Sequence, residues 1–220
     1  AVMGTAIHVE VWHADAALAQ SALDAVLEQM HHVDAVMSPF RPESELSRVN
    51  RSAADAPVAV NAELAELVAR ALHVSELTGG AFDITFASVG YLYDYRAHTR
   101  PDAAMLRRSL PAVDYRHVQV DPDAGTIAFT GPGVRIDLGG IAKGYAVEQS
   151  AALLRRMGIE HALISAGGDT RVVGDRFGRP WMVGIRHPRN EYGIVTRLPL
   201  QDEAVSTSGD YERYFDEDGV

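Results

Sequence analysis

From Thr5 to Trp12 ("TAIHVEVW") apolar and polar residues alternate, the period-two signature of a half-buried strand. The period then lengthens. Ala22, Val26, Met30, Val33 and Met37 recur at helical spacing, and Pro39 follows the last of them, which predicts a long amphipathic helix ending there. Leu64, Leu67, Val68, Ala71 and Leu72 line one face of a second helix, with Asn61 placed to cap its start and Gly79 and Gly80 to end it. Two helices are therefore expected after the first strand. The stretch "YRHVQVDPDAGTIAF" reads as two strands around an Asp-Pro-Asp-Ala-Gly turn, with "VRIDLG" continuing a meander. Residues 141–157 form a predicted helix closed by Gly158, and "HALISAGG", "PWMVGIRHP" and "IVTRLPL" read as strands. Helices and strands come in blocks without strict βαβ alternation. That pattern favours an α+β fold with largely antiparallel sheets over a doubly wound one. No internal repeat, low-complexity segment or interdomain linker interrupts the 220 residues.

Charge and composition narrow the function. A net charge of −10 without a Lys/Arg-rich run makes a nucleic-acid partner a poor expectation, because such surfaces track phosphate with clustered cations. The absence of cysteine excludes disulfides, zinc-thiolate sites and thiol nucleophiles, and leaves the compartment open. No stretch approaches the roughly 18 apolar residues of a membrane-spanning helix, so no transmembrane segment is expected in this chain. It starts at Ala1 without an initiator Met, which leaves room for a removed signal or a lipid anchor upstream.

The chemistry concentrates in "RIDLGGIAKGYAVEQ", residues 135–149, which reads as a strand running into a helix with Asp137, Gly139, Gly140 and Lys143 at the changeover. It is no P-loop, since Gly144 follows Lys143 where that pattern needs Ser or Thr. "GPGVRI" leads into a predicted strand and so is no dinucleotide fingerprint, and neither HExxH nor GxSxG occurs. His31 and His32 are neighbours that point to different sides of a helix, a poor start for a metal site. Glycines at a helix entrance expose backbone amides to an anion such as phosphate, and free carbonyl oxygens for a hard cation such as Mg²⁺. The plainer alternative is that they only let strand and helix pack closely, with Lys143 solvated and Asp137 paired to an arginine.

Six stretches in order, "VMGT" (2–5), "MSPFRPESELSRVN" (37–50), "GGAFD" (79–83), "DLGGIAKGY" (137–145), "AGGD" (166–169) and "STSGDY" (206–211), together resemble the ApbE family of FAD:protein FMN transferases. The resemblance implies a two-lobed α+β protein, here a single domain over residues 1–220. Such a protein binds FAD with Mg²⁺, attaches FMN to a Thr or Ser hydroxyl of a target flavoprotein and releases AMP. It further implies FAD contacts from Met3, Phe40, Ala81, Phe82, Asp83, Asp137 and Lys143, and a Mg²⁺ contact from the Gly140 carbonyl. Relatives mostly work outside the cytoplasm, so a periplasmic or other extracytoplasmic location is implied as well.

Each assignment has a plainer counterpart. Met3 and Phe82 serve equally as core or as partners of a planar ring, and Asp83 as a turn cap. Gly167, Gly168, Asp169, Thr207, Ser208 and Asp210 match family motifs, with a tight turn and a capped loop as the alternative to ligand contact. Phe40 stands where many relatives have Tyr, keeping the ring and losing the hydroxyl. After "AFDIT" this chain reads "FASVGYLYDY" where the family usually has a Pro-Leu pair, so the adjoining wall is expected to be reshaped. The family pattern continues past Val220 into a His and a Asp-Pro-x-Thr-Gly stretch, and the acceptor-activating base and further metal ligands are expected there. Two alternatives stay open: an FAD pyrophosphatase yielding FMN and AMP, and a non-catalytic FAD-binding protein.

Overall fold

The computed structural model describes residues 2–94, 97 and 99–208. Along the chain run β1 (Ile7–Trp12), α1 (Ala16–Met37), α2 (Glu45–Ser52), β2 (Val58–Ala59), α3 (Ala62–Leu77), α4 (Ala87–Gly90) and α5 (Ala103–Ser109). They are followed by β3 (Val118–Asp121), β4 (Thr126–Phe129), α6 (Ala142–Arg156), β5 (His161–Ala166), β6 (Asp169–Val173), β7 (Trp181–His187), β8 (Asn190–Leu200) and β9 (Ala204–Ser206). Among the described residues all strand pairs are antiparallel, so the α+β architecture expected from the blockwise pattern is the one formed. All five residues of the α1 stripe, Ala22 to Met37, are buried. Asn61 Oδ1 accepts the Leu64 N–H at 2.8 Å to start α3, and Gly79 and Gly80, both at positive φ, end it. Among the described residues no helix is long and apolar enough to cross a membrane.

The chain divides into two compact units. One holds the described residues up to Asp34 and from Ala142 onward. Its four-stranded sheet runs β1-β5-β6-β9. Helix α6 packs on β5 and β6 and buries Ala146, Val147, Ala151 and Leu154. Leu163 and Val172, opposite each other on β5 and β6, meet Trp181, Val183, Leu198 and Leu200 of the β7–β8 hairpin in a second apolar cluster. The sheet is thus covered on both faces, which is why β5 carries apolar residues at alternating and at intervening positions.

Asp202, in a turn at φ 53°, ties this unit's rim. The Arg155 guanidinium hydrogen-bonds it at 2.5 Å, and Arg171 lies 3.5 Å away. The hydrogen bond from Arg155 holds the carboxyl below its ordinary range. A depressed carboxylate stabilises the fold above the unfolded pKa, near 3.9 for Asp, and that contribution is lost as pH falls through the lower folded value. With 57% of the Asp202 side chain exposed, screening limits the effect to under ~1 kcal/mol. Asp202→Asn should therefore lower the melting temperature slightly at neutral pH, and the gap to the parent should close in strong acid. A gap that persists unchanged at low pH would assign the effect to the turn and not to the charge.

The other unit comprises the described residues of Ala35–Ile141. Its sheet is β2-β4-β3, with α3 packed against β3. Two expectations need correction here. Between α1 and α3 stands an additional helix, α2, so three helices separate β1 from β3 before the short α4 and α5. It is only eight residues long, capped by Ser44 Oγ accepting the Ser47 N–H at 3.0 Å, and its apolar face is just Leu46 and Val49. Such a face is too short to register as a period. The second correction concerns "VRIDLG": residues 134–138 join no sheet. The free edge of β4 is taken by Val58–Ala59, and backbone groups of the segment are bonded by the Asn50 and Ser88 side chains and by the Ile84 carbonyl instead.

Candidate functional site

The site grows from two stretches of the second unit. The first follows α3. Once Gly79 and Gly80 have reversed the chain, Thr78 Oγ1 accepts the Phe82 N–H at 3.1 Å, placing Ala81-Phe82-Asp83 at the turn's outer side. Asp83 then caps a 3₁₀ turn over Ile84–Phe86. Its Oδ1 accepts from the Thr85 N–H at 2.7 Å and the Thr85 hydroxyl at 2.6 Å, and its Oδ2 accepts the Tyr115 N–H at 2.9 Å. The cap reading of Asp83 is therefore realised, and both carboxylate oxygens are already engaged.

The second stretch is Val134–Ile141, extended and anchored at each step. Val134, Ile136 and Leu138 are buried, which turns Arg135 and Asp137 outward. Asn50 grips Ile136 from both sides, its Nδ2 donating to the Ile136 carbonyl at 2.9 Å and its Oδ1 accepting the Ile136 N–H at 2.8 Å. Ser88 Oγ accepts the Arg135 N–H at 2.9 Å, and Arg135 in turn stacks over Tyr91 with 4.6 Å from its guanidinium carbon to the ring centroid. The Asp137 N–H donates to the Ile84 carbonyl at 3.0 Å, which ties the two stretches together.

Between them lies a cavity of about 310 Å³ lined by Ala81, Phe82, Asp83, Ile84, Phe86, Asp137 and Gly140. Asp137 Oδ1 accepts the Gly139 N–H at 2.5 Å in a tight turn. A Cβ at Gly139 would stand 2.7 Å from that same oxygen, so a side chain there would push the Asp137 carboxylate aside. A Cβ at Gly140 would come within 3.2 Å of the Phe82 ring, so its bare backbone lets the two walls approach. The result is an open, largely apolar pocket with aromatic rings at its side and two carboxylates: Asp83, whose oxygens are both engaged, and Asp137, whose Oδ2 accepts no hydrogen bond among the described residues. It suits a planar heteroaromatic ligand that carries N–H or O–H donors.

Five of the eight residues proposed for FAD or metal meet in this pocket: Ala81, Phe82, Asp83, Asp137 and Gly140. Phe40 does not line it. The Ser44 hydroxyl donates to the Ser38 carbonyl at 2.7 Å and fixes a turn that leaves Phe40 86% exposed. Met3 and Lys143 belong to the other unit. Met3, at φ 53°, occupies a tight turn closed by reciprocal Val2 and Thr5 backbone bonds. A Cβ at Gly167 would lie 3.0 Å from Thr5 Oγ1 and 3.7 Å from Lys143 Cδ, so the Met3 turn, the β5–β6 turn and the start of α6 share one corner of that unit.

Of the remaining motif residues, Gly168, Asp169 and Thr207 make close contacts within their own unit. A Cβ at Gly168 would strike the Thr207 carbonyl at 2.3 Å, and Gly168 O accepts the Thr207 N–H at 2.9 Å. Asp169 Oδ1 accepts the Ser206 hydroxyl at 2.6 Å across β6–β9. Ser208 is exposed. Asp210 lies outside the described residues. Among the described residues no group of three or more His, Asp or Glu could hold a metal ion.

The sequence model of the ApbE family matches residues 3–220. An FAD:protein FMN transferase of Vibrio cholerae is 32% identical over 215 residues, covering 94% of this chain and 62% of its own length. One of Haemophilus influenzae is 29% identical over 235 residues, covering 99% and 66%. The chain thus spans just under two thirds of these relatives. Among solved structures, the ApbE protein of Thermotoga maritima superposes with a TM-score of 0.90 at 32% identity, covering 100% of this chain and 72% of that one.

Proposed function

Since the chain belongs to the ApbE family, we propose that its pocket receives part of FAD and that the full-length protein transfers FMN from FAD to a Thr or Ser hydroxyl of an acceptor flavoprotein, releasing AMP. The observation that carries this reading is the meeting of Ala81, Phe82 and Asp83 with Asp137 and Gly140 around one cavity, from stretches far apart in sequence. Phe82 offers an aromatic surface to a ring of the dinucleotide, and Asp137 Oδ2 an acceptor for its N–H or O–H groups. Asp83, whose oxygens are both engaged, acts by shaping the wall.

Mg²⁺ would be held by the Gly140 carbonyl together with the diphosphate of FAD, a donor set of hard oxygens that suits an ion commonly bound through substrate phosphates. When bound it neutralises the diphosphate charge. The roles of Met3, Phe40 and Lys143 toward FAD rest on the family match alone. For Lys143 the role is to set a cation near phosphate oxygen. An extracytoplasmic location is proposed on the same footing.

The test is to incubate full-length protein with FAD, Mg²⁺ and a candidate acceptor domain, and to look for a covalent FMN adduct by mass spectrometry with AMP in equal amount. FMN and AMP without an adduct would mark a pyrophosphatase, and unchanged FAD a binding protein. Either result overturns the transferase reading. FAD should also bind several-fold more tightly than FMN by flavin fluorescence quenching, because the adenylate half adds contacts. Equal affinities would count against the site holding a dinucleotide.

A further inference from the structure

The β7–β8 hairpin carries a charge opposite to that of the chain. Residues 181–200 contain three arginines, no lysine and one carboxylate residue, Glu191, within a protein of net charge −10. Inward, Trp181, Val183, Leu198 and Leu200 fasten the hairpin to its unit. Outward, the cross-strand pairs are Met182 with Pro199, Gly184 with Arg197, and Arg186 with Ile194. Ile194 lies across Gly184, where a Cβ would stand 3.3 Å from its Cδ1. Met182 and Ile194 remain 54% and 50% exposed. The outer face is therefore an apolar strip of Met182, Ile194 and Pro199 flanked by Arg186 and Arg197, both exposed and neither ion-paired among the described residues.

The backbone adds a second feature. Among the described residues β7 and β8 pair only with each other, so the outer edge of β7, which contains no proline, offers unpaired N–H and C=O groups. We propose that this hairpin is a docking arm for an extended segment of a partner protein in which acidic and apolar side chains alternate with small polar ones. Added alongside β7, such a segment hydrogen-bonds through its main chain and turns every second side chain to the same face. Its carboxylates then meet Arg186 and Arg197, whose planar guanidinium forks match carboxylate geometry, and its apolar residues cover Met182 and Ile194. A second copy would bring its own Arg186 and Arg197 to this face, whereas an acidic segment complements them, so the occupant is a different chain. The proposal stands independently of the flavin reading, since no residue of the hairpin lines the pocket.

The probe is a fluorescein-labelled peptide, Thr-Glu-Thr-Leu-Thr-Glu-Thr-Leu-Thr, titrated with the whole protein and followed by anisotropy. Binding should weaken with salt, and the Lys-for-Glu counterpart should not bind. Arg186→Glu with Arg197→Glu should cost at least tenfold while the melting temperature holds, because both side chains are exposed. The proposal fails if the peptide does not bind, if the double variant binds it equally, or if the Lys peptide binds as well. It fails equally if phosphatidylserine vesicles bind at these arginines while the peptide does not, which would make the arm a membrane contact. Salt-sensitive self-association that the double variant abolishes, without peptide binding, would assign the face to a second copy.

Discussion

Replacing Asp137 by alanine should weaken FAD binding by roughly ten- to a hundredfold, since a hydrogen bond to a charged group is worth about 1.5–3 kcal/mol and each 1.4 kcal/mol is a factor of ten. The carboxylate does two jobs. Oδ1 holds the Gly139 N–H, and the residue lines the pocket with no bond to its Oδ2 among the described residues. Asp137→Ala loses both, so it should also destabilise the turn by about 1 kcal/mol. Asp137→Asn separates them, because an amide oxygen still accepts from Gly139 while the negative charge is gone. The expected order of FAD affinity is parent, then Asn, then Ala, with only the alanine variant measurably less stable. Flavin fluorescence titration beside thermal unfolding reads both quantities. Normal FAD affinity in a destabilised Asp137→Ala protein would make this carboxylate a turn device and remove it from the site.

What could be read in the sequence divides along a physical line. Periodic burial was legible: the α1 stripe, the β3–β4 hairpin around its Asp-Pro-Asp-Ala-Gly turn, and the caps at Asn61, Gly79 and Gly158 all lie where side-chain spacing and backbone freedom put them. Structure made by single long-range hydrogen bonds was not. Residues 134–138 alternate as a strand does, because Val134, Ile136 and Leu138 are indeed buried on one side. Whether an extended segment finds a ladder depends on what else competes for the sheet edge, and here two residues of β2 take it. The aromatic wall followed the same rule. Phe82 was found through its motif, whereas Phe86 lines the pocket only because the Asp83-capped turn brings its ring round. Family resemblance supplied the site residues by pattern. It said nothing of Asn50, the last residue of a matched stretch, whose contact lies on a segment distant in sequence.

Asn50 is the strongest test of that difference, since it touches no ligand surface and yet sets the position of Asp137. Its side chain satisfies both backbone groups of Ile136, a residue with no solvent exposure. Asn50→Ala leaves a buried N–H and C=O without partners, which costs about 1–3 kcal/mol. Water can rescue those groups only by entering beside the Ile136 side chain, which would shift the extended segment away from α2. Asp137 is the next residue, and its N–H bond to Ile84 is the link between the two walls of the pocket. Loss of the Asn50 grip should therefore lower the melting temperature and also weaken FAD binding about tenfold, measured well below the transition where the variant is fully folded. Ser88→Ala gives the comparison: its hydroxyl holds Arg135, two residues from Asp137 and further from the cavity, so stability should fall with a smaller change in affinity. If both variants lose stability and neither loses affinity, the pocket keeps its shape without this bracket, and Asp137 is positioned by its own turn with Gly139 alone.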